Sequence, residues 1–214
     1  SRRGLRGTRS VLEWATHVAE GGTVPEALAA ALRAAELTRV TAPLSAAHWY
    51  GRAARLAGPE DRGTLLSRQA RSYWKGSRPR EAVETGLRAL ELLEPGRRRV
   101  RTACTVVHAA TTLGRYDQAL RGIEEQLPHA DDPTALLAQR AAIEAQFNRD
   151  STESARRAWA GLDDAPPEDR LVTLTSLCQN ALFTADWARG ERAADLLVRG
   201  SVALSPAARM TALE

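Results

Sequence analysis

The strongest constraint on the fold is a recurring unit. Leu113-Gly114-Arg115-Tyr116-Asp117-Gln118-Ala119-Leu120, running on to Gln126-Leu127, reads as the end of one helix, a tight turn and the start of a second helix packed back on the first. With Ala119 as an anchor, five residues past Gly114, equivalent anchors fall at Ala47, Ala82, Ala155 and Gly190, at intervals of 35, 37, 36 and 35 residues. Four residues beyond the anchors lie Gly51, Gly86, Ile123, Trp159 and Ala194. Twelve residues before them lie Ala35, Ala70, Val107, Ile143 and Cys178. All are small or apolar, as the contact line between two packed helices requires.

Composition agrees with helix and offers nothing to strands. Forty of the 214 residues are Ala, and Lys75 is the one lysine among 30 basic residues. Ala, Leu, Arg and Glu lose little side-chain freedom in a helix. Val, Ile and Thr form no period-2 run. Because Ala is so abundant, the anchors alone would be weak support; the flanking apolar positions carry the periodicity. The net charge is +4 and the pI about 9.7, below what a dedicated nucleic-acid binder calls for. Cys104 and Cys178 belong to no CxxC pair, so neither a disulfide framework nor a zinc site is implied, and a reducing, cytoplasmic setting is expected. No apolar run is long enough to span a membrane, and no signal peptide is expected. The loose Ser1-Arg2-Arg3-Gly4 opening, without an initiator Met, and the end at Leu213-Glu214 within a helical pattern suggest a piece of a larger protein.

Taken in order, residues 8–20 read as a helix ended by Gly21-Gly22. Five hairpins follow, over about 24–57, 61–94, 99–127, 133–162 and 168–203. Their breaks are Thr41-Ala42-Pro43, Gly58-Pro59, Ser77-Arg78-Pro79, Glu94-Pro95-Gly96, Pro128, Asn148-Arg149-Asp150 and Pro166-Pro167. Asp61 is placed to cap the second hairpin. Pro206 begins a last, truncated helix. The expected fold is all-α, an α-α superhelix of about five hairpins with flanking helices, in a single domain over 1–214. Each hairpin leaves an apolar face that only its neighbours can cover.

The residues Leu113 to Ala119 resemble the interhelical turn of the tetratricopeptide (TPR) family. Ala82 to Glu91, with Ala89-Leu90, is similar to that family's second helix, and Ala70 and Tyr73 fit its first. The resemblance covers about residues 24–203. The chain departs from the family in its longer repeats, in Gly190 at the anchor, and in Gln126 where a small residue is expected.

Chemistry-bearing motifs are missing. Neither GxxxxGK[ST], GxGxxG, HExxH nor GxSxG occurs. His17, His48, His108 and His129 sit in different hairpins without metal-ligand spacing. Glu124-Glu125, Asp131-Asp132 and Asp163-Asp164 fall where solvated surface is expected, and the two cysteines read as small buried hydrophobes. The expectation is therefore no enzyme, no metal and no cofactor. Arg97-Arg98-Arg99 with Arg101 is the sharpest charge cluster. It reads as a solvated loop or as a seat for an acidic group. At a helix start these cations oppose the macrodipole by about 0.3–1 kcal/mol each, which Glu91 or Glu94 could offset.

Thr102 to Leu113 and Leu171 to Ala185 carry no charged residue, and each is the first helix of its hairpin. Two arrangements fit: a wall of a binding groove, or burial on all sides. In TPR arrays the first helices line the concave groove. The resemblance therefore implies groove residues Arg71, Trp74 and Lys75, then Arg101, Cys104, His108 and Thr111. The fourth hairpin adds Arg140, Glu144, Phe147 and Asn148, and the fifth Thr175, Gln179, Leu182 and Phe183. Ala46 to Leu66, with Trp49-Tyr50-Gly51-Arg52-Ala53-Ala54 and Pro59-Glu60-Asp61-Arg62, is similar to the repeat region of large LuxR-type (STAND) regulators related to the maltose-regulon activator. That resemblance implies a sensor or protein-interaction domain holding a protein segment or small effector, with homo-oligomer formation possible. ATP and DNA would be handled by segments outside this chain. The alternatives are a general TPR adaptor clamping an acidic tail with Arg71, Lys75, Arg101 and Arg140, and a direct nucleic-acid binder.

Overall fold

The computed structural model describes residues 12–18 and 21–203, with backbone only for Glu168, Val202 and Ala203. Every regular element among the described residues is helical. Helix α1 is described over 12–18. Then follow α2 (Val24–Thr38), α3 (Pro43–Leu56), α4 (Pro59–Lys75), α5 (Pro79–Leu92), α6 (Arg97–Thr112), α7 (Tyr116–Gln126), a short 3₁₀ turn (Leu127–His129), α8 (Thr134–Gln146), α9 (Thr152–Gly161), α10 (Pro167–Thr184) and α11 (Trp187–Ala203). The expected fold class is observed, and the five hairpins match the observed helices within a few residues. The remainder of the 8–20 helix and the one begun at Pro206 lie outside the described residues.

Proline sets the starts. It occupies the first turn of α2, α3, α4, α5 and α10, where its missing N–H has no intrahelical partner to lose. This corrects the capping assignment for α4. Pro59 opens the helix two residues early, with Gly58 as N-cap, so Asp61 joins Glu60 in the first turn, where both carboxylates complement the positive helix end.

Four of the five hairpin turns are built alike. Ser77, Gly114, Asn148 and Ala185 adopt left-handed backbone, with φ of 57°, 71°, 52° and 55°. In each, the following N–H donates back across the helix end: Arg78 to Tyr73 O, Arg115 to Ala110 O and Arg149 to Glu144 O at 2.9 Å, and Asp186 to Ala181 O at 3.0 Å. Together with the shorter i→i−3 bonds of Ser77, Gly114, Asn148 and Ala185, this is the Schellman arrangement, which satisfies carbonyls the helix leaves open. Ala82, Ala119 and Gly190 follow the left-handed residue by five positions, whereas Ala155 follows Asn148 by seven. The fourth turn thus holds two extra residues, in which Asp150 Oδ1 accepts from Thr152 N–H at 2.9 Å.

The chain divides into two compact units, 1–94 and 95–214. In the first, α2 packs on α3, α3 on α4 and α4 on α5. Ala30, Ala31, Ala34, Ala35, Ala46 and Ala53 are completely buried, and Trp49 and Tyr50 fill the space between these small faces. Small side chains let the helix axes approach closely. Gly51 leaves room on α3 for the Gln69 amide of α4. In the second unit α8 is the hub, packing against α6, α7, α9 and α10. Its Leu137 and Ala138 join Ala158, Leu162, Leu174, Leu177 and Ala193 in one core cluster. Each fully buried leucine contributes roughly 1.5–3 kcal/mol.

Candidate functional site

In the first unit, two helix C-termini carry a concentration of charge. Glu36 and Arg39 end α2; Arg68, Arg71, Ser72 and Lys75 form an i, i+3, i+4, i+7 stripe on the last two turns of α4. With Tyr50 of α3 they line a cavity of about 210 Å³. Glu36 is its internal acid. Its carboxylate accepts from Tyr50 Oη at 2.7 Å and pairs with Arg68 at 3.0 Å and Arg39 at 3.2 Å. The Arg68 guanidinium also lies 5.9 Å from the centre of the Tyr50 ring. Burial, and then the hydrogen bond to Glu36, hold the Tyr50 phenol protonated well above its ordinary range.

Four cations and one carboxylate give this lining a formal charge of +3. Helix C-termini are where such a concentration costs least, because the partial negative charge of the open carbonyls offsets about 0.3–1 kcal/mol per cation. The pairs with Glu36 are roughly half exposed, so each stabilises the fold by at most about 1 kcal/mol. Their arrangement is better suited to meeting an anion than to holding the unit together.

The residues expected on the later first helices have other partners. Arg101 Nε and Arg97 Nε donate to the two oxygens of Asp169 on α10 at 2.7 and 2.6 Å, and that carboxylate is only 14% exposed. Asp169 is thus an acid bonded to two of the cations at the start of α6. Arg99 donates to the side-chain oxygen of Gln126 at 2.7 Å, so the polar residue found where a small one was expected is an acceptor for this cluster. His108 is kept neutral by burial, which brings its pKa down to about 4. Cys104 is buried, and desolvation, reinforced by the Asp169 charge, pushes its thiol up to about 12. Thr111 Oγ1 donates to Val107 O.

On α8, Arg140 pairs with Glu144 at 2.7 Å and reaches Glu124 at 3.6 Å, with Glu144 nearly buried. Phe147 packs against Tyr116 with ring centroids 4.0 Å apart and the rings tilted by 53°. Asn148 is the left-handed turn residue. On α10, Thr175, Gln179, Leu182 and Phe183 lie on the exposed side, while Leu171, Leu174, Leu177 and Ala181 are buried. Of the two charge-free runs, the one in α6 is mostly covered: Thr102, Ala103, Val106, Val107, Ala109 and Ala110 are all buried. Helix α10 also buries Thr173, Ser176 and Asn180, and the strip through Thr175, Gln179, Leu182 and Phe183 stays exposed.

Of the candidates, the structure brings Arg71 and Lys75 into one cavity, whereas Trp74 is partly buried beside it and is not among the lining residues. It brings Arg140 and Glu144 into one ion pair. Glu36, Arg39, Tyr50, Arg68 and Ser72 were missed as cavity residues. The i, i+3 pair Glu36–Arg39 and the Arg68–Arg71–Lys75 stripe were the available signals. Among the described residues, no group of three or more His, Cys, Asp or Glu is placed to hold a metal ion. No helix there is long and apolar enough to cross a membrane.

The fold and this site define an all-helical protein built from packed hairpins. No protein-family model and no curated protein matches the chain significantly. Among solved structures it is similar to the crystal structure of BtubC (BKLC) from P. vanneervenii, with a TM-score of 0.64 and 16% identity. The match covers 96% of this chain and 93% of that one, and at such identity it is a likeness of fold.

Proposed function

We propose that this chain is a non-catalytic recognition domain of the tetratricopeptide type, serving as the sensor or protein-interaction region of a large bacterial LuxR-type regulator. The observation that carries the reading is the cation-lined cavity of the first unit, where Arg71 and Lys75 meet Arg39, Arg68, Glu36 and Tyr50. The recurring Schellman turns support the tetratricopeptide comparison. The regulator setting rests on the resemblance over Ala46 to Leu66, whose Trp49, Tyr50, Ala53 and Ala54 are packing residues and whose Tyr50 also reaches the cavity. The states of Cys104 and His108, one held as a thiol and the other as a neutral ring within packing, favour recognition over catalysis.

The test is ligand binding followed by thermal shift. A panel of small effectors and acidic peptides should include members that raise the melting temperature of the wild-type chain and leave Arg71→Ala/Lys75→Ala unmoved. ATP hydrolysis by the chain, sequence-specific DNA binding, or ligand responses identical in the double variant would contradict the proposal. DNA affinity would also betray itself by a steep loss between low and moderate salt.

A further inference from the structure

We infer that the cavity between α2, α3 and α4 receives a small hydroxylated phosphate monoester; this rests on the reading of that cavity as the recognition site. Charge is the first reason. The lining carries +3. A phosphate monoester brings about −1.5 to −2 at pH 7 and three strong acceptor oxygens, whereas one carboxylate brings only one charge. Arg68 and Arg71 offer planar forks that match phosphate oxygens in pairs, and Lys75 offers a point charge.

Size is the second reason. A cavity of about 210 Å³ is modestly larger than the roughly 150 Å³ void that admits benzene. It suits a phosphorylated polyol or sugar of a few carbons. The floor supplies the third reason. Tyr50 and Ser72 are only 2% and 5% exposed, so the cavity reaches into the packed layer. Ser72 Oγ donates to Arg68 O at 2.9 Å, which leaves its lone pairs to accept a ligand hydroxyl. The Glu36 carboxylate, already held by Tyr50, Arg39 and Arg68, has acceptor capacity for a second hydroxyl while repelling an anion placed directly against it. Glu36 and Ser72 thus give the cavity acceptors for hydroxyls, and Arg71 and Lys75 add positive charge to its lining.

The experiment is calorimetric titration of the 214-residue chain with glycerol 3-phosphate, inorganic phosphate, glycerol, succinate, a phosphoserine peptide and a polyglutamate peptide. Glycerol 3-phosphate should bind saturably and at least tenfold tighter than inorganic phosphate or succinate, with glycerol silent. Arg71→Ala/Lys75→Ala should weaken it at least tenfold; Arg71→Gln/Lys75→Gln, which keeps the long stems, guards against a packing artefact. Glu36→Gln should tighten it severalfold, an effect of opposite sign that unfolding cannot mimic. No preference for glycerol 3-phosphate, indifference to both double variants, or tighter binding of the phosphoserine peptide would overturn the inference. If polyglutamate binds in an Arg71/Lys75-dependent way while no phosphate does, the inference falls and the recognition reading stands. If no probe responds to either double variant, both fall.

Discussion

The two units put the same residue type to different uses. In each, two arginines converge on one carboxylate: Arg39 and Arg68 on Glu36 in the first, Arg97 and Arg101 on Asp169 in the second. Glu36 is 48% exposed and sits among further cations, whereas Asp169 is 14% exposed and ties α6 to α10. Their cores differ in the same direction. The largest fully buried side chains, Ile123, Leu136, Leu171, Leu174 and Leu177, all belong to the second unit. The first relies on close-packed alanines around Trp49 and Tyr50. An arginine cluster in a sequence is thus ambiguous, and the burial of the acid it meets decides whether it ties helices together or stays open to solvent.

The sharpest break would come from the second unit's contact line. Ala119 is 1% exposed, so Ala119→Asp buries a carboxylate among apolar groups and should cost about 3–5 kcal/mol. A melting temperature within a degree or two of wild type would refute the packing register.

Acid comes next. Burial lowers the His108 pKa from 6.5 to about 4, so between these values the unfolded chain takes up a proton that the folded chain refuses. Stability present above pH 6.5 should therefore be lost as pH falls toward 4. The residue keeps some solvent contact, which limits the loss to about 1–3 kcal/mol. Urea melts of wild type and His108→Gln at pH 7 and 4.5 measure it; equal pH slopes in the two would dispose of the buried neutral ring.

Asp169→Ala removes the shared acceptor of two half-exposed arginines and should destabilise by about 1–2 kcal/mol. The matching Glu36→Ala, in the open cavity, should cost less than 1 kcal/mol. Chemical denaturation that ranks them in the reverse order would undo the contrast between the units.

The smallest effects lie in the turns. Ala185 has φ of 55° with a side chain that penalises that conformation, so Ala185→Gly should stabilise by about 0.5–1 kcal/mol. Gly114→Ala should destabilise by a similar amount, since its Cβ would find ordinary contact at 3.9 Å and meet only the backbone penalty. Changes of the same sign in both melts would contradict the shared turn geometry.

The helices were legible because proline and the small-residue spacing mark them locally. Pro43, Pro59, Pro79 and Pro167 start helices where they stand, and the anchor spacing located all five hairpins. The extra two residues after Asn148 were hidden because abundant alanine allows the anchor to slide. Asp169 was invisible as a partner because it lies 72 and 68 residues from Arg97 and Arg101, so only tertiary packing brings them together. The charge-free run of α6 carries a buried face, with Val106, Val107 and Ala110, and a partly exposed one, with Thr105, His108 and Thr111, and periodicity alone could not tell packing from a groove wall. Arg71 and Lys75 share a helix face that the sequence shows, but the Glu36 side of the cavity belongs to another hairpin, and the local Glu36–Arg39 pair does not say which helix it meets.

One paired measurement bears most directly on the difference between the units: glycerol 3-phosphate affinity and melting temperature, determined side by side for Arg71→Ala/Lys75→Ala and Arg97→Ala/Arg101→Ala. The first variant is predicted to lose at least tenfold in affinity with its melting temperature within about 2 °C of wild type. The second is predicted to melt several degrees lower while binding the probe as wild type does. Loss of binding in the second variant with retention in the first would place recognition in the wrong unit and contradict the division of roles.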